Sequence, residues 1–372
     1  MSNLTFKGFA RSDSSVGIRN YIGVVSTVVC SSVVTRDIAK TVPQGIPVVH
    51  ANGCAQLGDD FLLTKNTLKG VVANPNIYAS LLVGLGCETN QVSILLDETV
   101  ESKPKVGFSI QQMAGGTNTL QAGSEIVKKW SEEIHEIERT EQGIEKLTIG
   151  ILPIDLDKNE YQSASPSVST FIKEMVESRA TVILGMTDKM EKVLDRATSR
   201  AANEQVKAQM LSISSKNTRQ TWDKMNPNES EYLQYSDADF QLGLEELKLA
   251  EGIDVASILN YAEIPNASGL HLSIMPNNVI EAASNLVASG CNLIVFLTNR
   301  AIFTGTIVVP CMTIGVMNKE NQSVEMIDLV IDEHVTSSDI LQKVIDISSG
   351  QLTKLEDFKL EEFAISHIGT TF

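Results

Sequence analysis

In the first third of the chain, apolar residues come in short unbroken runs. Tyr21 to Val29, Pro47 to His50 and Ser80 to Leu85 read this way, and Lys105 to Ile110 adds a fourth segment of strand character. Uninterrupted burial of this kind predicts strands of a parallel sheet covered on both faces. Between these runs, apolar positions fall at helical spacing. Val33, Val34, Ile38 and Ala39 predict one helix, with Ser31 or Ser32 as its N-cap. Phe61, Leu62, Leu63, Leu68 and Val71 predict a second over Asp59 to Val72, closed by Asn74-Pro75-Asn76. Gln91 to Thr99 and Leu120 to Glu138 predict two more, and residues 1–20 predict an irregular, turn-rich lead-in.

The pattern repeats in the second part. Leu147 to Leu152, Thr181 to Gly185, Gly269 to Ile274, Asn292 to Thr298 and Ile307 to Val316 predict strands. Val168 to Ser178, a long segment from Lys189 to Met210, Gly243 to Glu251, Asn278 to Ala288 and Ser337 to Ser349 predict helices, and residues 213–240 are polar and irregular. Strands alternating with helices are the doubly wound α/β signature. The charged stretch Glu138 to Glu145 separates two such domains, residues 1–142 and 143–372, each expected to be a Rossmann-like parallel sheet with helices on both faces.

Composition narrows the function classes. The 372 residues are 42% hydrophobic, enough for large cores, and the net charge of −16 argues against nucleic acid or an anionic membrane as partner. No apolar run reaches the length of a membrane span, and the first residues lack a signal-peptide core, so a cytoplasmic protein is expected. Five cysteines in such a chain predict free thiols.

Three of those cysteines matter most. Cys30, Cys54 and Cys87 each follow the last apolar residue of a predicted strand, with His50 four residues before Cys54 and Glu88 directly after Cys87. In open α/β sheets the carboxyl ends of strands form the ligand edge. Thiolate, imidazole and carboxylate there can hold iron or zinc, or transfer protons. Chance burial of a small apolar side chain gives the same placement. Arg11, Arg19 and Asn20 precede the first strand and could clamp a carboxylate bidentately, although an ion-paired arginine is the default. Gly115-Gly116-Thr117 opens a helix and exposes backbone N–H groups that suit an anion.

Taken together, several motifs resemble the altronate and galactarate dehydratase family of sugar-acid hydro-lyases. They are Gly8-Phe9-Ala10-Arg11-Ser12-Asp13 with Val16-Gly17-Ile18-Arg19-Asn20-Tyr21-Ile22, then His50-Ala51-Asn52-Gly53-Cys54, Gly84-Leu85-Gly86-Cys87-Glu88-Thr89-Asn90-Gln91 and Gly115-Gly116-Thr117. The likeness is dense to about residue 125 and revives at Tyr261-Ala262-Glu263 and Asn292 to Arg300. It implies dehydration of a hexarate or hexonate to a 2-keto-3-deoxy acid with ferrous iron or another divalent metal, and no nucleotide cofactor. It also implies roles. His50 would be base or ligand; Cys54, Cys87 and Glu88 would be ligands or acid–base groups, with Cys30 a weaker ligand; Arg11, Arg19, Asn20, Gly115, Gly116, Thr117 and Arg300 would hold substrate.

Departures fall mainly in the second half. The family's Cys-Gly-Gly-Ser-Asp segment reads Leu152-Pro153-Ile154-Asp155-Leu156-Asp157, a family Glu is Met186, and a Gly-, Pro- and Lys-bearing loop is Asn226-Pro227-Asn228. The glycine after Cys54 is Ala55, and Ala301-Ile302 replaces a Gly-Ser after Asn299-Arg300. The leading expectation is a metal-assisted lyase acting on a small anionic hydroxy acid. The alternatives are a hydroxy-acid-binding or regulatory subunit that has lost catalysis, or the large subunit of a sulfolactate sulfo-lyase-like enzyme. A separate small subunit of the antifreeze-like type and a homo-oligomer complete the expected assembly.

Overall fold

The computed structural model describes residues 4–154, 158–186, 190–191, 194–215, 250, 252–276, 278–298, 302–316, 324–332 and 334–367. Two parallel sheets dominate, as the alternation of apolar runs and helical periods requires. In the first, β3 (Tyr21–Ser26), β4 (Gly45–Val48), β5 (Ile77–Gly84) and β6 (Lys105–Ser109) stand in the order β4-β3-β5-β6. Helices α1 (Ser32–Ala39) and α4 (Gly116–His135) pack together on one face, and α2 (Gly58–Ala73) and α3 (Val92–Glu98) on the other.

The second sheet has seven parallel strands. They are β8 (Thr148–Pro153), β9 (Thr181–Met186), β10 (Val255–Leu259), β11 (Gly269–Ile274), β12 (Leu293–Thr298), β14 (Cys311–Val316) and β15 (Leu329–Ile331), in the order β10-β11-β9-β8-β12-β14-β15. Between β12 and β14, β13 (Gly305–Thr306) pairs with β16 (Glu361–Glu362).

Several expectations are corrected. Residues 1–20 are not wholly irregular: β1 (Thr5–Ala10) pairs with β2 (Val16–Gly17) and with β7 (Thr140–Gly143) in a small antiparallel sheet. Phe6, Val16 and Ile18 from this sheet's neighbourhood are buried in the core of the seven-stranded sheet. The run expected to extend to Val29 leaves the sheet after Ser26, because the Ser26 and Ser31 hydroxyls both donate to the Val28 carbonyl and fold the chain into a 3-10 turn over Val29–Ser31. Ser31 occupies the N-cap position of α1 without capping it, since its hydroxyl turns instead to the Val28 and Val83 carbonyls, which compete for its one proton. The long helix over Lys189 to Met210 is interrupted among the described residues by a 3-10 stretch (Leu194–Arg200) before a helix over Glu204–Ser215. There Ala201 bridges to Val255, and the Arg200 guanidinium donates to the Ile253 and Ala250 carbonyls, so tertiary pairing overrides helix propensity. The helix expected over Gly243 to Glu251 lies outside the described residues except Ala250.

The sheets are joined by shared packing. Val25, Val48, Leu68 and Leu82 of the first lie in one core with Leu152, Ile183, Leu286 and Phe296 of the second. Helix α2 crosses the helix Val279–Ala288 so closely that a methyl on Gly70 would collide with the Ala288 backbone. Asparagines stitch the seam. The Asn74 amide donates to Val287 and Cys291 carbonyls, Asn76 to Asn292 and Val308, and Asn292 to Val16. Buried carbonyls at strand starts need such donors, and sequence inspection gave Asn74 and Asn76 only a turn role.

Candidate functional site

Strand order decides where the ligand edge lies. From β3 the chain crosses to β4 on one side, whereas from β5 it crosses to β6 on the other. The crevice of a doubly wound sheet opens at such a switch point, beyond the carboxyl ends of the two strands. Here those ends lead into Thr27 to Cys30 and into Leu85 to Glu88. A second switch point lies between β8 and β12; residues 155–157 and 299–301 that follow these strands, Arg300 included, are outside the described residues.

At the first switch point the three segments are tied by backbone bonds. Val29 N–H donates to the Asn52 carbonyl (2.9 Å), Thr27 N–H to Val83 (3.1 Å), and Thr89 N–H to Cys54 (3.1 Å). Cys30 and Cys87 are exposed and Cys54 is half-buried. The Cys87 thiol is shifted up, first by local desolvation and then by the neighbouring Cys54 and Glu88 charges. The backbone bonds thus hold the segments that carry Cys30, Cys54 and Cys87 together at this switch point.

Glu88 is buried beneath them. Its Oε1 accepts from the Thr27 hydroxyl (2.9 Å) and its Oε2 from Gly86 N–H (2.6 Å). Gly84 has to be glycine for this, since a Cβ there would collide with the Glu88 carboxylate. On the side of β5 away from β3, Ile110 N–H donates to Gly84 (2.8 Å) and Gln111 N–H to Leu85 (3.1 Å). This places the start of α4 beside the loop. Gly115 (φ 125°) is its N-cap, with no side chain capping the first turn, so N–H groups of Gly116 and Thr117 remain available to an anion.

His50 is different. Its Nε2–H donates to the Ser26 carbonyl (3.1 Å), and its Nδ1 accepts from Asn52 N–H (3.2 Å). Complete burial pushes its pKa down to about 4, so the ring is neutral and both nitrogens are spent. The expectation that His50 serves as base or ligand is corrected to a structural role: it braces the turn that presents Cys54.

The arginines lie elsewhere. Arg11, Arg19 and Asn20 precede β3, while the thiols follow it, and the 6-residue strand separates the two ends by about 17–20 Å. Arg19 does clamp a carboxylate bidentately, but it is the protein's own Glu356 (2.7 and 2.8 Å), and its other donors reach the Ile18, Ile347 and Gln351 carbonyls. Burial alone would lower the Arg19 pKa; the Glu356 partnership outweighs it and the net shift is upward. Arg11 donates to Pro75 and Arg19 carbonyls and to the Asn20 side chain, and burial brings its pKa down to about 10. The expected substrate clamp is thus a staple between sheet ends. Beside it Glu361, which sequence reading passed over, is pushed up to about 8 by burial and then by the Glu356 charge.

Among the described residues no three His, Cys, Asp or Glu side chains stand around one point as a formed metal site. The imidazole and carboxylate face inward, and the outward donors are the thiols.

The fold and this rim define a two-sheet α/β protein with a thiol-lined switch point next to an uncapped helix N-terminus. The model of the D-galactarate dehydratase/altronate hydrolase second domain matches residues 8–135, and that of the D-galactarate/altronate dehydratase C-terminal domain matches residues 144–371; the chain belongs to this family. Altronate dehydratase of Bacillus subtilis is 28% identical over 99% of this chain and 79% of its own length. Altronate dehydratase of Escherichia coli is 25% identical over 78% and 62%. The (2R)-sulfolactate sulfo-lyase subunit beta of Chromohalobacter salexigens is 22% identical over 98% and 97%. Among the described residues no helix is long and apolar enough to cross a membrane.

Proposed function

We propose that the chain is a lyase that eliminates water from a sugar acid or related hydroxy acid, giving a 2-keto-3-deoxy acid, at the switch point of the first sheet. Family membership across both halves is the observation that carries this reading. The first turn of α4 would receive the substrate carboxylate, because a helix N-terminus offers free N–H groups and a favourable dipole. Glu88, held by Thr27 and Gly86, would be the acid–base group for the α-proton. The expected ferrous iron or other divalent metal would take Cys54 and Cys87, with Cys30 beside them, as soft donors. When bound it would supply Lewis acidity to the substrate oxygens. We further propose a cytoplasmic homo-oligomer with a separate small subunit, because the sulfo-lyase relative that matches almost end to end is itself named a subunit.

A second reading, a hydroxy-acid-binding or regulatory subunit, is favoured by the engagement of His50 and Arg19 within the protein. Anaerobic purification, metal analysis and a keto-acid assay over aldonates, aldarates and sulfolactate separate the two. Metal with turnover supports the lyase; tight hydroxy-acid binding without turnover supports the second. Cys54→Ala and Cys87→Ala should each strip the metal at an unchanged melting temperature; retained metal with lowered stability would mean the thiols only pack.

A further inference from the structure

We propose that the cleft along the first turns of α4 holds the substrate's tail, and that it selects a polyhydroxylated chain ending in a hydroxyl over one ending in a carboxylate. This rests on the lyase reading, in which the first turn of α4 receives the substrate carboxylate. The cleft measures about 400 Å³, within the range of small-molecule sites, and Gln112, Met113, Ala114, Asn118, Gln121 and Glu125 line it. Asn118 lies in the first turn of the helix, with Gln121 and Glu125 following on the same face. From Asn118 to Glu125 the helix rises about 10 Å. The loop at the near end is held by backbone bonds from Met113 N–H to Ser109 (3.1 Å) and from Gly115 N–H to Ile110 (2.9 Å).

Each amide in the cleft has its orientation set by a partner of one kind. Gln112 Oε1 accepts from Ser109 N–H (2.9 Å), which leaves the Gln112 NH₂ group to donate. Asn118 Nδ2 donates to the Met113 carbonyl (2.9 Å), and Gln121 Nε2 to the Glu125 carboxylate (3.3 Å). Asn118 Oδ1, Gln121 Oε1 and the second Glu125 oxygen are left to accept. A lining richer in acceptors than donors suits hydroxyl groups, which can donate. A carboxylate can only accept, and the Glu125 charge repels it. Among the described residues no lysine or arginine lines the cleft to offset this. The chemical class that fits is a sugar acid with one carboxylate and a chain of several carbons ending in a hydroxyl.

The test uses the full chain, purified anaerobically, with titration calorimetry and a keto-acid assay run in parallel. The probes are altronate, with one carboxylate; galactarate, with two carboxylates on a chain of the same length; and glycerate, with a short chain. Altronate should bind about tenfold tighter than either of the others. Asn118→Leu and Gln121→Leu should each weaken altronate about fivefold, the worth of one hydrogen bond, and leave glycerate unchanged. Glu125→Lys should shift the altronate-to-galactarate ratio about tenfold towards galactarate. The three side chains are exposed, so melting temperatures should stay at the wild-type value. Should one variant fail to fold, the wild-type ratios and the remaining variants still decide. Preference for galactarate in the wild type, or ratios unmoved by the substitutions, would overturn the tail site, while turnover would keep the lyase reading. A wild type that binds none of the three acids overturns it as well. Altronate bound with the expected ratios but never converted to a keto acid would uphold the tail site and remove the lyase reading.

Discussion

Replacing Arg19 with Met tests the reassignment of the arginines most directly. The Arg19–Glu356 pair is buried on both sides, at 6% and 5% exposure. Removing the guanidinium strands Glu356 with only the Thr353 N–H (2.8 Å) and the Tyr21 hydroxyl (3.4 Å). Breaking a buried pair by deleting one partner costs about 3–5 kcal/mol. The Ile347 and Gln351 carbonyls lose their Arg19 donor as well, at about 1 kcal/mol each, while Ile18 keeps Arg139. Arg19→Met should therefore lose about 5 kcal/mol, a large part of a typical folding free energy. Glu356→Gln alone should cost less, because an amide still accepts from the guanidinium. The double variant Arg19→Met/Glu356→Gln should be more stable than Arg19→Met alone, with a coupling of about 2–3 kcal/mol. Urea denaturation followed by tryptophan fluorescence measures all three. Wild-type stability in Arg19→Met, combined with weakened hydroxy-acid binding, would refute the staple and restore the substrate clamp.

Other consequences are separable. Glu361 is held at about 8 in the folded protein against 4.5 unfolded, so it favours the fold at low pH and the benefit fades as pH rises through 8. Unfolding free energy should fall by about 2–3 kcal/mol between pH 6 and 9, and Glu361→Gln should flatten that slope. His50 has the opposite sign: depressed from 6.5 to about 4, it supports the fold above 6.5 and up to about 3 kcal/mol is lost as pH falls through 4. A His50→Gln variant melting with the wild-type acid dependence would count against its buried neutral state. Gly84→Ala should evict Glu88 from its Thr27 and Gly86 bonds, cost about 1–3 kcal/mol of overpacking and abolish lyase turnover in a steady-state assay; full turnover would remove Glu88 from the proposed chemistry.

Much of the fold is legible in the sequence. Continuous apolar runs gave the central strands of both sheets, since burial on both faces leaves no polar positions to obscure them. The strands missed were short or peripheral. Thr5–Ala10 alternates buried and solvated positions around Lys7, and Val255–Leu259 is only 5 residues long. Each is short and lies at the edge of its pattern, and pairing with other strands completes it.

The candidate site divides the same way. Sequence determined that three cysteines, a glutamate and a Gly-Gly-Thr turn follow strands, because apolar runs and their breaks are local properties. Strand order, which long-range pairing sets, decided that β3 and β5 are the neighbours whose ends open a crevice. Only the tertiary structure spent His50 on Ser26 and Asn52. It alone gave Arg19 to a carboxylate 337 residues away. A polar side chain is free for chemistry only if the fold leaves its donors and acceptors unmatched, and where backbone carbonyls are buried that accounting is made among residues remote in sequence.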